Sequence, residues 1–131
     1  RYADMLLLYA EVLNELNSNP PSKAIESLNR VRNRVKLPNI ENSTYYNGSQ
    51  ITNNKEAFRE HLKIERALEL AMECVRWIDL KRWGIEDDET LNKIRERDSD
   101  FENFVLGKSI RMPIPQSEVD NNPNLNQNAQ Y

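Results

Sequence analysis

The chain has 131 residues, of which 30% are charged and 38% hydrophobic, and it carries a net charge of −3 at pH 7. This size and balance fit one folded domain with its own core, and they exclude disordered, collagen-like and membrane-spanning chains. A nucleic-acid-binding protein needs a concentrated basic surface. The densest basic segment, residues 30–36, places its charges on alternate residues, which point to different sides of a helix. We therefore expect no nucleic-acid partner.

Two helices are predicted first. Apolar residues recur with a period of 3.6 over residues 2–16, which predicts a helix buried on more than one side. The Asn/Ser/Pro tract at residues 17–21 ends it, and a second helix begins near residues 20–22, since proline is tolerated in a first turn. One face of that helix carries Ala24, Ile25, Leu28, Val31, Arg32 and Val35. It ends before Pro38. The hairpin resembles one tetratricopeptide repeat, which cannot bury its own faces alone.

Residues 39–53 are rich in Asn, Ser, Thr and Tyr, which predicts an exposed loop. Tyr45 and Tyr46 are the candidate ligand-binding residues of the chain. Aromatic rings stack on the apolar face of a sugar, while neighbouring polar side chains bind its hydroxyl groups. The alternative, that both are ordinary loop tyrosines packed on the protein body, stays open.

One long helix is predicted over residues 55–83, with Gly84 as its C-terminal stop. At 100° per residue, one core stripe consists of Ile64, Leu68, Ala71, Val75 and Ile78. A second apolar side carries Leu62, Leu70, Trp77 and Leu80, so the helix is expected to lie between two layers. Trp77 and Trp83 are both interpreted as core residues. Cys74 lies within this apolar pattern and is interpreted as a buried thiol.

Glutamates repeat on one flank of this helix at positions 65, 69 and 73. We interpret them as part of a charge network with Arg66, Arg76 and an arginine of the preceding helix, Arg30 or Arg34. A more specific alternative is a metal site built from His61, Glu65 and Glu69. The chain has no second histidine that could serve as a further ligand. A catalytic triad or phosphate-binding loop cannot be assembled from its motifs either. We expect no catalytic residue, metal or cofactor.

The remaining chain is predicted to hold a short helix over residues 88–97, with Leu91 and Ile94 inward. Anchoring residues follow, namely Phe101, Phe104, Val105 and Leu106. Prolines keep residues 111–115 extended, Ser117 is expected to cap a helical turn that reaches Asn121, and an Asn-rich tail covers the surface. The predicted fold class is all-α: a tetratricopeptide-like helical hairpin, a long helix, a short helix and an extended C-terminal tail. One domain over residues 1–131 is expected.

Four sequence motifs follow one another along the chain. YAEVLNE begins at residue 9, AIESLNRVRNRVKLP at 24, ERALELAMECVRWIDLKRWG at 65 and MPIPQSEVDNNPNLNQNAQY at 112. They resemble the SusD/RagB family of outer-membrane nutrient-binding lipoproteins, which carries E-R-x-x-E-L-x-x-E-x-x-R-W-x-D-L-x-R-W-G and a closing P-I-P-x-x-E…N-P-x-L-x-Q-N-x-x-Y. The chain departs from the family at residues 128–131, where Asn-Ala-Gln-Tyr replaces the common Asn-Pro-Gly-Tyr.

The resemblance implies a binding protein and not an enzyme. These residues would be the C-terminal portion of a longer polypeptide, since the chain opens on Arg1 inside a predicted helix. A lipid anchor on the N-terminal part would hold it at the outer-membrane surface, where it delivers glycan or another nutrient to a SusC-like TonB-dependent transporter. Ligand contacts would come largely from other parts of the protein. The alternatives left open are a tetratricopeptide-like protein–protein interaction module without its own small-molecule ligand, and a metal-dependent enzyme resting on His61 and the glutamates.

Overall fold

A computed structural model describes residues 1–43 and 48–131, with only the backbone described at residue 49. Contacts divide the chain into two compact units, Arg1–Arg76 and Trp77–Tyr131. Within the described residues the structure is helical and contains no strand, so the all-α prediction is confirmed. The helices are α1 (Tyr2–Leu16), α2 (Ser22–Arg34), α3 (Gly48–Ile51), α4 (Lys55–Glu69), α5 (Arg76–Arg82), α6 (Asp88–Arg95) and α7 (Gln116–Asn121), with 3-10 turns at Ile40–Asn42 and Ser99–Phe101.

The first unit is built on the predicted helical hairpin, which is confirmed. Helix α1 packs against both α2 and α4. Their shared core consists of Leu7, Ala10, Ala24, Leu28, Val31, Ile40, Ile51, Phe58 and Leu62. Ala10 and Ala24 are fully buried, and such small side chains let helices approach closely. Helix α1 is buried on this side, whereas its opposite side is exposed, contrary to the expectation that more than one side is buried.

Helix α2 ends in a hydrogen-bonded turn that the sequence did not reveal. The amide of Leu37 donates to the Arg32 carbonyl, and that of Lys36 to Asn33, each at 3.1 Å. Lys36 adopts a φ of 61°, so this is a Schellman motif with lysine at the position that glycine usually occupies. The helix therefore stops before the Leu37–Pro38 pair rather than at it.

The described part of residues 39–53 is more ordered than predicted. Ile40 and Ile51 are buried in the core, and each belongs to a helical turn. The backbone amide of Ile40 donates to the Asn29 side chain at 2.8 Å. The prediction of an exposed loop is therefore wrong for these residues, because the Asn29 side chain anchors the turn at Ile40, and Ile40 and Ile51 both reach the core.

The prediction of one helix over residues 55–83 is also wrong. Helix α4 ends at Glu69 and α5 begins at Arg76, with turns between them. In these turns Met72 and Cys74 adopt φ values of 65° and 60°. Cys74 is exposed, which corrects the interpretation of a buried thiol, because the turn removes it from the helical apolar pattern.

The predicted core stripe on this segment is also wrong. The helix is interrupted after Glu69, and α4 buries a different face. Leu68 is 69% exposed and Ile78 is 64% exposed. Ala71 is exposed as well, while Ile64 and Val75 are only partly buried. Helix α4 instead buries the face that carries Phe58, His61, Leu62, Glu65 and Arg66. Polar side chains occupy this face because they pair with one another and with neighbouring helices.

The second unit has its own core, formed by Leu80, Ile85, Leu91, Phe104 and Ile110. Gly84 ends α5 as predicted: its amide donates to the Lys81 carbonyl and the Ile85 amide to that of Leu80. The short helix is confirmed as α6, where the Asp87 carboxylate accepts a hydrogen bond from the Thr90 amide at 2.9 Å. Asp87 therefore caps this helix.

Of the predicted core tryptophans and anchors, Phe104 is confirmed as buried in the second core, and the others are partly buried or exposed. Trp83 packs against the second core, as do Ile94, Phe101 and Leu106. Trp77 is 38% exposed, with its ring centroid 6.1 Å from that of Phe104, so its interpretation as a core residue is wrong. Val105 is exposed too.

The C-terminal tail folds back on the proline-containing segment before α7. Gln127 accepts a hydrogen bond from the Ile114 amide and donates to the Ile114 carbonyl, both at 2.8 Å. The Tyr131 hydroxyl donates to the Arg111 carbonyl at 3.0 Å. Ser117 lies inside α7, which follows Pro115 without a side-chain cap, so the predicted Ser117 cap is wrong. Across residues 1–43 and 48–131, none of the helices has the length and apolarity needed to cross a membrane.

Candidate functional site

The most concentrated chemistry of the first unit is a buried ion network that links α2 to α4. The Arg32 guanidinium donates to the Glu65 carboxylate at 2.9 Å, and the same carboxylate oxygen lies 3.1 Å from His61 Nε2. All three side chains are more than nine-tenths buried. Arg32 also donates to the Pro38 carbonyl at 2.9 Å. The network thus holds α4, α2 and the segment after α2 together.

A second, more exposed layer of ion pairs surrounds Glu69. Arg34 and Arg1 both contact its carboxylate at 2.7 Å, and Arg1 also contacts Glu73 at 2.6 Å. The predicted network with an arginine of the preceding helix is therefore confirmed for Arg34. Arg30 instead lies over the Tyr2 ring, 5.3 Å from its centroid.

The electrostatics of Glu65 argue against acid–base chemistry. Burial by itself raises the pKa of Glu65, but the hydrogen bond with His61 and the positive charge of Arg32 outweigh burial and hold that pKa below its ordinary value. An anion fixed in this way is a poor general acid near neutral pH. The arrangement stabilises the fold.

The alternative metal site is not assembled either. Of its three proposed ligands, Glu65 contacts His61 and Arg32 directly, and Glu69 is held by Arg1 and Arg34. Among the described residues, no group of three or more His, Cys, Asp or Glu side chains is arranged to hold a metal ion. The two carboxylates therefore serve as counter-ions for arginines in this structure.

An apolar recess of about 450 Å³ lies beside this network, at the C-terminal ends of α2 and α4. Its apolar lining comes from Val35, Leu37, Pro38, Ile64 and Leu68. Its polar lining includes Glu65, Glu69 and Ser43, the last residue described before position 48. The candidate residues Tyr45 and Tyr46 lie outside the described residues, so the structure does not place them.

A polar recess of about 420 Å³ lies where the hairpin turn approaches the start of α4. It is lined by Ser18, Asn19, Asn53, Asn54, Lys55, Glu56 and Arg59. Amide and hydroxyl groups of this kind form hydrogen bonds with ligand hydroxyls. The charged groups of Lys55, Glu56 and Arg59 are already in ion pairs. The Asn/Ser/Pro tract at residues 17–21 predicts only a helix stop. The sequence signal for this polar recess is the second asparagine pair, Asn53 and Asn54, just before α4.

The described residues thus form an all-helical fold with an apolar recess, a polar recess and a buried ion network. The SusD family model matches residues 1–131, and the chain belongs to the SusD family. The sequence is 36% identical to SusD-like protein P38 of Formosa agariphila over all 131 residues and 34% identical to SusD-like protein P25 of the same organism over 128 residues.

A solved structure gives the same result. The crystal structure of a SusD homolog from Bacteroides thetaiotaomicron matches with a TM-score of 0.67 and 31% identity, covering 100% of this chain and 26% of the other. The chain covers 24% of protein P38 and 22% of protein P25. It therefore spans about a quarter of the length of the relatives that it matches.

Proposed function

We propose that the whole protein binds a nutrient, with a glycan as the ligand class, at the outer-membrane surface and passes it to a SusC-like TonB-dependent transporter. The observation that carries this proposal is the SusD family match over residues 1–131. The ion network removes the glutamates at positions 65 and 69 as candidate acid–base groups, since Arg32 and Arg34 neutralise their carboxylates. A lipid anchor on a segment outside these residues holds the protein at the membrane.

Within this chain, we propose that Tyr45 and Tyr46 supply the aromatic platform for the sugar. They follow Ser43, which lines the apolar recess, by two and three residues. Rings at a recess of this lining would stack on the apolar face of a sugar ring. The main contacts to the ligand come from the rest of the protein, so the tyrosines tune affinity rather than create it.

Calorimetric titration of the full-length protein with a panel of soluble oligosaccharides tests the function. We expect saturable binding of at least one glycan, and co-purification with the transporter from outer membranes. Absence of saturable binding to the whole panel, together with retained co-purification, would contradict nutrient binding and favour the interaction module without a ligand.

A separate pair of variants tests the two tyrosines. Tyr45→Ala with Tyr46→Ala is expected to weaken glycan binding several-fold, because the aromatic rings that stack on the apolar face of the sugar are lost, whereas Tyr45→Phe with Tyr46→Phe keeps the rings and the affinity. Tyr131→Ala is the control, since its ring lies under Lys108 in the second unit. Unchanged affinity in the double alanine variant would remove the tyrosines from the site and leave the function itself untouched.

A further inference from the structure

The polar recess at the start of α4 is held in place by hydrogen bonds between its walls. It lies between the hairpin turn, the two asparagines before α4 and the first turn of that helix. Asn14, which is fully buried, donates to the Lys55 carbonyl at 3.1 Å, and Lys55 Nζ donates to the Glu15 carbonyl at 2.7 Å. The Asn54 side chain accepts a hydrogen bond from the Ala57 amide at 3.0 Å. Walls that are fixed in this way lower the entropic cost of binding a ligand.

The charged groups around the recess balance one another. Lys55 pairs with Glu15 at 3.7 Å. Arg59 pairs with Glu15 at 2.6 Å and also with Glu56. The Arg59 guanidinium holds the pKa of Glu15 below its usual range, so the Glu15 carboxylate stays ionised at neutral pH. Because two cations meet two anions, an ionic ligand would have to displace one of these partners, and the recess therefore favours an uncharged ligand.

Hydroxyl and amide side chains supply the neutral part of the lining. Ser18, Asn19 and Asn53 line the recess and are exposed, and each side chain both donates and accepts hydrogen bonds. A sugar hydroxyl has the same dual character, whereas a carboxylate only accepts and an ammonium group only donates. No described residue that lines the recess is aromatic or aliphatic, so stacking on the face of a sugar ring does not contribute here. The lining matches the hydroxyl edge of a neutral sugar.

The polar recess is separate from the apolar recess at the other end of α4. The polar recess uses helix positions within residues 55–59, and the apolar recess uses positions within residues 64–69. At 100° and 1.5 Å per residue, the two sets of lining residues lie about 150° apart around the helix and about 15 Å apart along it. A sugar unit at the start of α4 therefore occupies a place of its own.

We propose that the polar recess is a second glycan subsite, which takes an uncharged sugar unit through its hydroxyl groups. The proposal rests on glycan binding by the whole protein and adds a position within this chain where the glycan is held. Each hydrogen bond to a sugar hydroxyl replaces one to water, so the net gain per bond is small. The subsite is therefore weak by itself and adds to affinity that other parts of the protein supply.

Photoaffinity labelling of the full-length protein locates the bound sugar. The probes are glycosides of glucose, galactose and mannose that carry an alkyl diazirine on the anomeric oxygen. We expect at least one probe to label peptides that contain residues 17–19 or 53–59, and an excess of the unmodified sugar to reduce this labelling several-fold. Labelling of neither segment, or labelling that the free sugar does not reduce, would overturn the subsite.

Matched variants test the side chains of the recess. Asn53→Leu removes an amide group at nearly constant volume, and we expect it to reduce labelling of the recess several-fold because hydrogen bonds to the sugar are lost. Ser18→Ala should act in the same direction. Asn103→Leu makes the same change at an exposed asparagine of the second unit and should leave the labelling unchanged. Wild-type labelling in both recess variants, or an equal loss in the control, would contradict the assignment.

Charged analogues of the sugar test the preference for an uncharged ligand. For the probe that labels best, the uronic acid and the 2-amino sugar of the same configuration should compete less well than the neutral sugar, because each must displace an existing ion-pair partner. Competition by either analogue that equals that of the neutral sugar would show that the balanced charges do not select the ligand, and it would overturn this part of the proposal.

The outcome for the subsite is distinguishable from the outcome for the whole protein. Saturable glycan binding in the calorimetric titration, with no labelling of the recess, would overturn the second subsite and leave the proposed function in place. Absence of saturable binding would instead contradict the proposed function itself. The double variant Tyr45→Ala with Tyr46→Ala is expected to keep the label at the start of α4, and loss of that label would contradict two separate subsites.

Discussion

At the residue scale, Arg32 is the buried cation that joins α2 to Glu65 of α4. The periodicity of α2 placed it on the face with Leu28 and Val31, and it is indeed buried there. Its partner could not be read from that period, because Glu65 lies 33 residues away on another helix. The regular spacing of the glutamates predicts a charge network, but it does not predict that Arg32 and Glu65 form its most buried pair. The sequence signal for a buried ion pair was a charged residue, Arg32, on an otherwise apolar helix face.

Replacing Arg32 by methionine is expected to destabilise the protein by about 3–5 kcal/mol, because the Glu65 carboxylate would stay buried without its arginine. Denaturant unfolding measures the change. Arg34→Met is the matched control on the same helix: its side chain is 57% exposed, so its ion pair with Glu69 contributes about 1 kcal/mol or less. Similar losses in the two variants would contradict a special role for the buried pair.

Glu69→Gln is expected to lower the melting temperature, because the neutral amide no longer forms ion pairs with two arginines. The Glu69 side chain is 7% exposed and contacts Arg1 and Arg34, whose side chains are 40% and 57% exposed. Solvent screening of the arginines limits the loss to about 1 kcal/mol. Calorimetric melting measures the change. An unchanged melting curve would count against a structural role of the Glu69 ion pairs.

At the element scale, the break between α4 and α5 is the largest departure from the predicted helix. Residues 70–75 contain neither glycine nor proline, and Leu, Ala, Met and Glu favour helices, so local propensity predicts continuity. The structure places Met72 and Cys74 in the left-handed region instead. Non-glycine residues there are strained by about 1–2 kcal/mol each.

Met72→Gly is therefore expected to stabilise the protein by about 1 kcal/mol, since glycine adopts a positive φ without strain. The Met72 side chain is 99% exposed and loses no packing. Met72→Ala is the control, because it removes the same side chain and keeps the strain. In a continuous helix alanine would instead be more stable than glycine by about 1 kcal/mol. The sign of the difference between the two variants, measured by denaturant unfolding, decides which backbone is present.

Two helix ends of the same type lead to opposite expectations. Lys36 and Gly84 occupy the same position of a Schellman motif, with φ values of 61° and 84°. Lys36→Gly should stabilise the protein by about 1 kcal/mol, and Gly84→Ala should destabilise it by a similar amount. A Cβ at Gly84 meets nothing within 4 Å, so the effect of the second substitution comes from the backbone alone. Thermal unfolding of both variants tests the pair, and shifts of the same sign would contradict it.

Local signals explain which elements were predicted well. The bounds of α1 and the start of α2 follow from the Asn/Ser/Pro tract, and Gly84 stops α5 as expected. Burial at Ile40 and the pairing of Glu65 depend on residues distant in the sequence. A chemical argument supports Tyr45 and Tyr46 as ligand-binding residues, but no distance or contact supports them, because they fall outside the described residues. The sequence motifs thus identified the family without placing a ligand site.

At the scale of the whole molecule, carboxylates with lowered pKa values occur in both units. The Arg59 guanidinium holds the pKa of Glu15 below its usual range, and the backbone amide of Thr90 does the same for Asp87. Glu65 is the buried member of the set, with its pKa lowered by His61 and Arg32 against the effect of burial. All three groups bind protons less readily in the folded chain than in the unfolded chain.

This direction fixes how stability depends on pH. A carboxylate with a lowered folded pKa contributes stability above its unfolded pKa, near 4 for Asp and Glu, and that contribution disappears as the pH falls through the folded pKa. We therefore expect stability to change little through these groups from about pH 7 to 5 and to fall below about pH 4. Thermal melts across this range measure the loss.

Glu65→Gln isolates the buried member of the set. At neutral pH the variant should melt at a lower temperature than the wild type, because it lacks the charge that pairs with Arg32. As the pH falls through the folded pKa of Glu65, the wild-type carboxyl becomes protonated and resembles the neutral amide, so the gap between the two melting temperatures should narrow. A gap that stays constant down to about pH 3 would mean that ionised Glu65 contributes nothing to the acid sensitivity of the fold.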